Sequence, residues 1–304
     1  MLSELKLGPR RMAQAARLME LARSQEVEIL AHFYQRTEVK ALAHFVGGSL
    51  GLHRAAINSR AKAIMVCGVD FLAQNIERLR PDLKILVPRP DADCPFSQTV
   101  GPREVSQIRL THPNHLLVAD IKASGALRDL CDLEISPEGE FPTNLGHQGA
   151  MVLPALSAGD PGTRAVSHWP RASCQVHYQV TAADVKKALT KLKGAKVAAN
   201  SLCRPEVRQM ADLVGDSQTI FEGCLNAPRG DWLVISESGL VECLRAKIPE
   251  SRFHECEVEI FCPNMKLTNI KDMLHTLEAE LPAMDTEPKV TPLGDRPEQA
   301  GPAG

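Results

Sequence analysis

Residues 27–49 read VEILAHFYQRTEVKALAHFVGGS, and 168 positions later residues 195–217 read AKVAANSLCRPEVRQMADLVGDS. Laid over one another without a gap, Ala31, Arg36, Glu38, Val39, Ala43, Val46, Gly47 and Ser49 fall on Ala199, Arg204, Glu206, Val207, Ala211, Val214, Gly215 and Ser217. The register continues through Asn58 on Asn226, Val66 on Val234, Leu72 on Leu240 and Pro81 on Pro249, and ends with Cys94-Pro95 on Cys262-Pro263. That is 14 identities in the 67 positions from 29 to 95, where unrelated segments share roughly 4 at ordinary residue frequencies. A fixed-period match of this kind marks a duplicated unit.

Inside the first copy the pattern alternates between strand and helix. Residues 9–24 have helical spacing, with Met12, Ala16, Leu18, Met19 and Ala22 on one side. Val27 to Tyr34 is an apolar run rich in β-branched residues and reads as a buried strand. Glu38 to Val46 reads as a helix stopped by Gly47-Gly48. Residues 50–59 and 70–79 suit helices, while Ala63 to Cys67 and Lys84 to Val87 suit strands; the loop from Pro88 to Pro95 then carries Cys94. Alternation at this length predicts an α/β fold with parallel sheets.

Between the copies lies a weaker third unit. Leu116 to Asp120 reads as its first strand and Leu127 to Leu133 as a helix, and Pro and Gly thin the pattern after Ser136. Its candidate cysteine is Cys174, 80 residues after Cys94 and 88 before Cys262. The expected architecture is three pseudo-threefold-related αβα sandwich domains, the middle one shortened, with one thiol per domain facing a common centre. The expected limits are an N-terminal helix over 1–25, domains over 26–110, 111–192 and 193–283, and a polar, disordered tail over 284–304.

The composition is average for a globular chain of 304 residues, with 44% hydrophobic and 24% charged residues. It excludes a coiled coil, a collagen-like chain and a disordered chain. No apolar run spans a membrane, and a net charge of −2 leaves no nucleic-acid footprint. Nine cysteines, an odd number without a CxxC pair, point to reduced thiols and a cytoplasmic location. Most would be small buried hydrophobes. Three thiolates meeting at one point could hold zinc, which in a structural site wants a fourth ligand. They could also hold a [4Fe–4S] cluster, whose fourth iron stays open to substrate.

Five motifs carry a resemblance to the quinolinate synthase (NadA) family over roughly residues 26–281. They are Ile29 to Gln35 (ILAHFYQ), Phe45 to Leu50 (FVGGSL), Cys67 to Ala73 (CGVDFLA), Cys174 to His177 (CQVH) and Cys262 to Lys266 (CPNMK). The resemblance implies a [4Fe–4S] cluster on Cys94, Cys174 and Cys262, supplied by iron–sulfur assembly machinery. It implies condensation of iminoaspartate with dihydroxyacetone phosphate to quinolinate in NAD biosynthesis, so the partners are a dicarboxylate imine and a triose phosphate. It assigns Tyr34 to proton transfer and His177 to a place near the cluster. His32, Ser49, Ser136, Ser217 and Ser236 match substrate-binding positions.

The chain departs from the family pattern at several positions. Asn200-Ser201-Leu202-Cys203 stands where the family has HPEC, so the acid–base glutamate is Leu202, which moves no proton. The family's YxN aligns with Ala119-Asp120-Ile121, the aspartate of GDSL is Gly48, and the glutamate of FMAE is Gln74. These changes raise two other readings: a related cluster-assisted condensation or dehydration on another small acid, or a non-catalytic sensor keeping fold and cluster. Cys256, six residues before Cys262, is an alternative ligand. The remaining histidines and cysteines read as structural.

Overall fold

A computed structural model of the chain describes residues 7–136, 140–142, 149–154, 166–168 and 173–284. The expected tail lies outside these residues, apart from Met284, which ends the last helix. The first unit runs β1(Val27–His32), α2(Thr37–Leu42), β2(Phe45–Gly47), α3(Ser49–Asn58), β3(Ala63–Cys67), α4(Asp70–Leu79) and β4(Lys84–Leu86), preceded by α1(Pro9–Ser24). After α5(Pro102–Thr111), the second runs β5(His115–Ala119), α6(Gly125–Arg128), β6(Leu133–Glu134), β7(Gly149–Leu153) and β8(Val166–His168). Helices α7(Gln175–Tyr178) and α8(Ala182–Lys191) lead into the third, with β9(Lys196–Asn200), α9(Pro205–Arg208), β10(Leu213–Gly215), α10(Ser217–Asn226), β11(Asp231–Ile235), α11(Ser238–Lys247) and β12(Arg252–His254). Helix α12(Ile270–Met284) closes the described chain.

Each unit forms a four-stranded parallel sheet of the same order: β2-β1-β3-β4, β6-β5-β7-β8 and β10-β9-β11-β12. The second sheet keeps all four strands despite its weak pattern. A repeated clip fixes the crossover from first to second strand in every unit. His44 Nδ1 accepts from the Ile29 N–H at 2.9 Å, and the carboxylates of Asp132 and Asp212 accept from Leu117 and Val197 at 2.8 and 2.7 Å. In return the N–H of His44, Asp132 and Asp212 donates to the carbonyls of Ile29, Leu117 and Val197, each at 2.8 Å.

The strands are apolar on both faces because both faces are covered. Along β1, Leu30 faces one core while Val27, Ile29 and Ala31 face another, the period-2 alternation of a strand. Residues Ala198 against Val197 and Ala199 divide β9 the same way, and Val118 against Leu117 and Ala119 divide β5. The first and third sheets share one core, in which Leu30, Phe33 and Leu52 meet Val234 and Leu240. The outer face of the first sheet is covered by α1 and α12 through Leu18, Leu21, Met273 and Leu277.

Two expectations fail locally, the first being the helix expected over Leu127 to Leu133, which ends at Arg128, with Leu133 opening β6. The helix expected over Glu38 to Val46 ends at Leu42, and Phe45–Gly47 is an edge strand on β1. The His44 clip to Ile29 turns the chain out of the helix there, and three residues are too few for a strand period to register in the sequence.

Candidate active site

The carboxyl ends of the three first strands converge, where parallel α/β sheets place their ligands. The turn after each is built alike. The Tyr34 N–H donates to His32 Nδ1 at 3.2 Å, the Lys122 N–H to Asp120 Oδ1 at 3.0 Å, and the Leu202 N–H to Asn200 Oδ1 at 3.0 Å. The carbonyls of His32, Asp120 and Asn200 accept from the residue three further on in each case. His32, Asp120 and Asn200 are therefore one structural position, and Tyr34, Lys122 and Leu202 another. The turn thus shifts the expected YxN match by one residue, onto Asp120-Ile121-Lys122. The polar side chains of this turn are those of Asp120 and Lys122.

A cavity of about 410 Å³ lies at this convergence. From the first unit it is lined by His32, Tyr34, Ser49 and Cys94, and from the third by Asn200, Leu202, Ser217 and Cys262. Lys122, Cys174 and His177 complete it. Ser49 and Ser217 are the first residues of α3 and α10. The two helices approach closely there. A Cβ on Gly48 would stand 2.6 Å from Ser217 Oγ and 2.8 Å from the Gln218 nitrogen, and the Gly48 N–H donates to Gln218 Oε1. This contact accounts for glycine where the family pattern has aspartate.

Tyr34 is the hub of the polar side. Its hydroxyl lies 3.1 Å from Ser236 Oγ and 3.4 Å from His177 Nε2, and accepts from Asn200 Nδ2 at 3.3 Å. Its ring packs edge-on against His32, centroids 4.5 Å apart. Burial pushes the tyrosine well above its usual range and holds both His32 and His177 down to about 3, with the Lys122 charge adding to the effect on each histidine. The imidazoles are neutral at ordinary pH, and His32 Nδ1, as an acceptor, leaves its proton on Nε2.

The cysteine loops are braced from beneath. Asp70 Oδ1 accepts from the Cys94 N–H at 3.0 Å. Glu237, fully buried, accepts from the Cys262 N–H at 3.4 Å and pairs with Lys266 at 2.8 Å, while Lys266 Nζ also donates to the Tyr34 carbonyl at 2.7 Å. Cys174 opens α7, with its Sγ 3.4 Å from His177 Nδ1. Burial raises Cys94 to about 12 and Cys262 to about 11, and it raises Cys174; the neighbouring thiols add to the rise at Cys94 and Cys262.

Three thiolates gathered in a buried cavity repel one another, and a cationic metal centre removes that penalty by holding them deprotonated. Among the described residues, no group of three or more His, Cys, Asp or Glu side chains could hold a single metal ion. A four-iron cluster makes no such demand, because each cysteine binds a different corner iron. The three cysteines that would hold such a group, one from each unit, line this one cavity, and thiol sulfur is the donor it takes. Cys67, Cys203, Cys224 and Cys256 are buried in the cores; Cys256 donates to the Val258 carbonyl and packs within the third unit, away from the cavity.

Eight of the ten residues singled out in the sequence line this cavity, and a ninth, Ser236, touches it through Tyr34. Ser136 does not join them. It lines a separate cavity of about 140 Å³ with His53, Asn75 and Arg128. The strand pairing explains the offset: Leu133 pairs with Val118 as Phe45 pairs with Leu30, so Ser136 matches Gly48 rather than Ser49. Two of the lining residues that the sequence reading left without a role stand at the repeated turn. Asn200 had a signal, since it falls on His32 in the 168-residue repeat; Lys122 had none, because its unit has no gapless match to the others.

Among the described residues no helix is long and apolar enough to cross a membrane. Compared with known proteins, the chain is 30% identical to a quinolinate synthase of Methanosarcina barkeri over 269 residues, covering 86% of this chain and 88% of the relative. It is 29% identical over 268 residues to a quinolinate synthase of Clostridium acetobutylicum, covering 86% and 88%. The family model described as "Quinolinate synthetase A protein" matches residues 16–296, nearly the whole chain, and it is to this family that the chain belongs.

Proposed function

We propose that the chain is a quinolinate synthase, condensing iminoaspartate with dihydroxyacetone phosphate, and that Cys94, Cys174 and Cys262 hold a [4Fe–4S] cluster. The observation that carries this reading is the single cavity shared by the three thiols, His32, Tyr34, Ser49 and Ser217. We further assign the domains to residues 26–110, 111–192 and 193–283.

When bound, the cluster supplies a Lewis acid at its open iron. The chain's own residues do the rest. Ser49 and Ser217, at two helix starts, donate hydroxyl hydrogen bonds to substrate oxyanions. His32, neutral and protonated on Nε2, donates a further one. Tyr34 bears the mobile proton: Ser236, Asn200 and His177 surround its oxygen, so a proton leaving or reaching the phenol has polar partners on three sides. Asn200 and Leu202 carry no titratable side chain. General acid–base work therefore falls to Tyr34 and to His177, which can accept at Nε2. The apolar walls, with Val69, Phe71, Phe96 and Met265, exclude water and strengthen each polar contact.

The test is the reaction itself. The chain is purified without oxygen, supplied with iminoaspartate and dihydroxyacetone phosphate, and assayed for quinolinate. Quinolinate above the no-enzyme rate supports the reading. A cluster-loaded chain that makes none contradicts it.

A further inference from the structure

Lys122 carries the one lysine ammonium on the cavity lining, where the other two turns place Tyr34 and Leu202. Its Nζ is shielded from solvent and has no hydrogen-bond partner among the described residues. Lys122 lines the cavity, and its charge is felt at His32, His177 and Cys174 and also at His53. The basic side chains that brace the site from outside are occupied: Lys266 by Glu237 and the Tyr34 carbonyl, Lys40 by Glu242 and the Gly239 carbonyl. A buried ammonium without a partner is costly and persists only where something else offsets the cost. Among the described residues the cavity lining offers one carboxylate, Asp93, on the first unit's cysteine loop.

We infer that Lys122 anchors an oxyanion of the substrate, a carboxylate or a phosphate, and that it is the residue through which this chain selects an anionic ligand at the second unit's corner of the cavity. This rests on the reading of the cavity as a substrate site. The threefold turn makes the three corners chemically distinct. Tyr34 offers a proton-bearing hydroxyl, Lys122 a cation, and Leu202 an apolar surface. A ligand with one anionic end is thereby held in one orientation among three otherwise similar corners. A substrate oxyanion accepts a charge-assisted N–H bond from the ammonium, which has three donors and no competing acceptor among the described residues.

Binding is measured calorimetrically on the anaerobically purified full chain with two probes, inorganic phosphate and L-malate, for wild type, Lys122→Met and Lys122→Arg. The expected result is that wild type binds at least one probe. Lys122→Met should bind it roughly tenfold to a hundredfold more weakly, the range for one lost charge-assisted hydrogen bond, and Lys122→Arg should fall between. Whichever probe loses affinity identifies the oxyanion as phosphate or carboxylate. Lys122→Met should also melt no lower than wild type, because the substitution removes an unpaired buried charge. The inference is overturned if wild type binds neither probe, or if Lys122→Met binds both as wild type does. The outcome is separable from that of the proposed reaction. Lost probe binding in a chain that makes no quinolinate keeps the anchor and removes the reaction; quinolinate formation with unchanged KM values in Lys122→Met keeps the reaction and removes the anchor.

Discussion

Asn200 Nδ2 donates to the Tyr34 hydroxyl at 3.3 Å, so the third sheet's first strand holds the phenol that the first sheet presents. Asn200 occupies in its own turn the place His32 occupies beside Tyr34. The duplicated unit has thus become asymmetric, one copy carrying the reactive hydroxyl and the other its support.

Tyr34→Phe keeps the ring against His32 and removes only the oxygen that Ser236, His177 and Asn200 surround. Quinolinate formation should fall by about 10²–10⁴, the usual worth of a positioned proton-transfer group, while stability changes by about 1–3 kcal/mol for the polar groups left unpaired. Activity is read by product formation and stability by urea unfolding. Activity within a factor of two of wild type would remove Tyr34 from the chemistry.

Asn200→Ala tests the support separately. It removes a donor to Tyr34 and the acceptor of the Leu202 N–H, yet leaves the phenol. A loss of about tenfold in kcat, smaller than for Tyr34→Phe, is expected from a positioning group worth one hydrogen bond. Equal losses in the two variants would instead place Asn200 in direct contact with substrate.

Glu237 and Lys266 form a buried pair beneath Cys262 and Tyr34, and removing one partner strands the other charge. Lys266→Met should cost about 3–5 kcal/mol of stability and loosen the Cys262 loop, lowering retained iron. Both are measurable on the purified variant, by chemical unfolding and by iron analysis. A variant as stable as wild type would show that the pair carries no structural weight.

His53 is buried with neither ring nitrogen hydrogen-bonded among the described residues, and burial, with Arg128 and Lys122 nearby, lowers it from 6.5 to about 3. The unfolded chain takes up this proton below its ordinary value and the folded chain does not. The stability contribution is thus whole above pH 6.5 and lost as pH falls toward 3. Unfolding free energies at pH 7, 6 and 5 should decline with acid. His53→Leu should flatten that decline by up to about 1.4 kcal/mol per pH unit, one proton's worth. Parallel curves would count against it.

Much of the site could be read from the chain because duplication leaves its mark where packing and chemistry both hold residues still. The 168-residue register found Ser49 with Ser217 and Cys94 with Cys262, and it implicitly paired His32 with Asn200. Strands β1, β3 and β5 were legible as short apolar runs. Edge strand β2 was not, because three residues inside a helical pattern carry no period of their own. Lys122 went unassigned, and Ser136 lies outside the cavity, for a shared reason. The second unit has diverged too far for a gapless match to the other two. Only the shared turn and the strand pairing restore the register.

The central claim is that three thiols from three sheets hold one cluster. The most direct measurement is iron and acid-labile sulfide per chain after anaerobic purification, for wild type and for serine variants at each cysteine. We predict about four of each per wild-type chain, little or none in Cys94→Ser, Cys174→Ser and Cys262→Ser, and wild-type content in Cys224→Ser and Cys256→Ser. A wild-type chain that holds a single zinc or no iron, or that keeps full iron content when any one of the three cysteines is replaced, would contradict it.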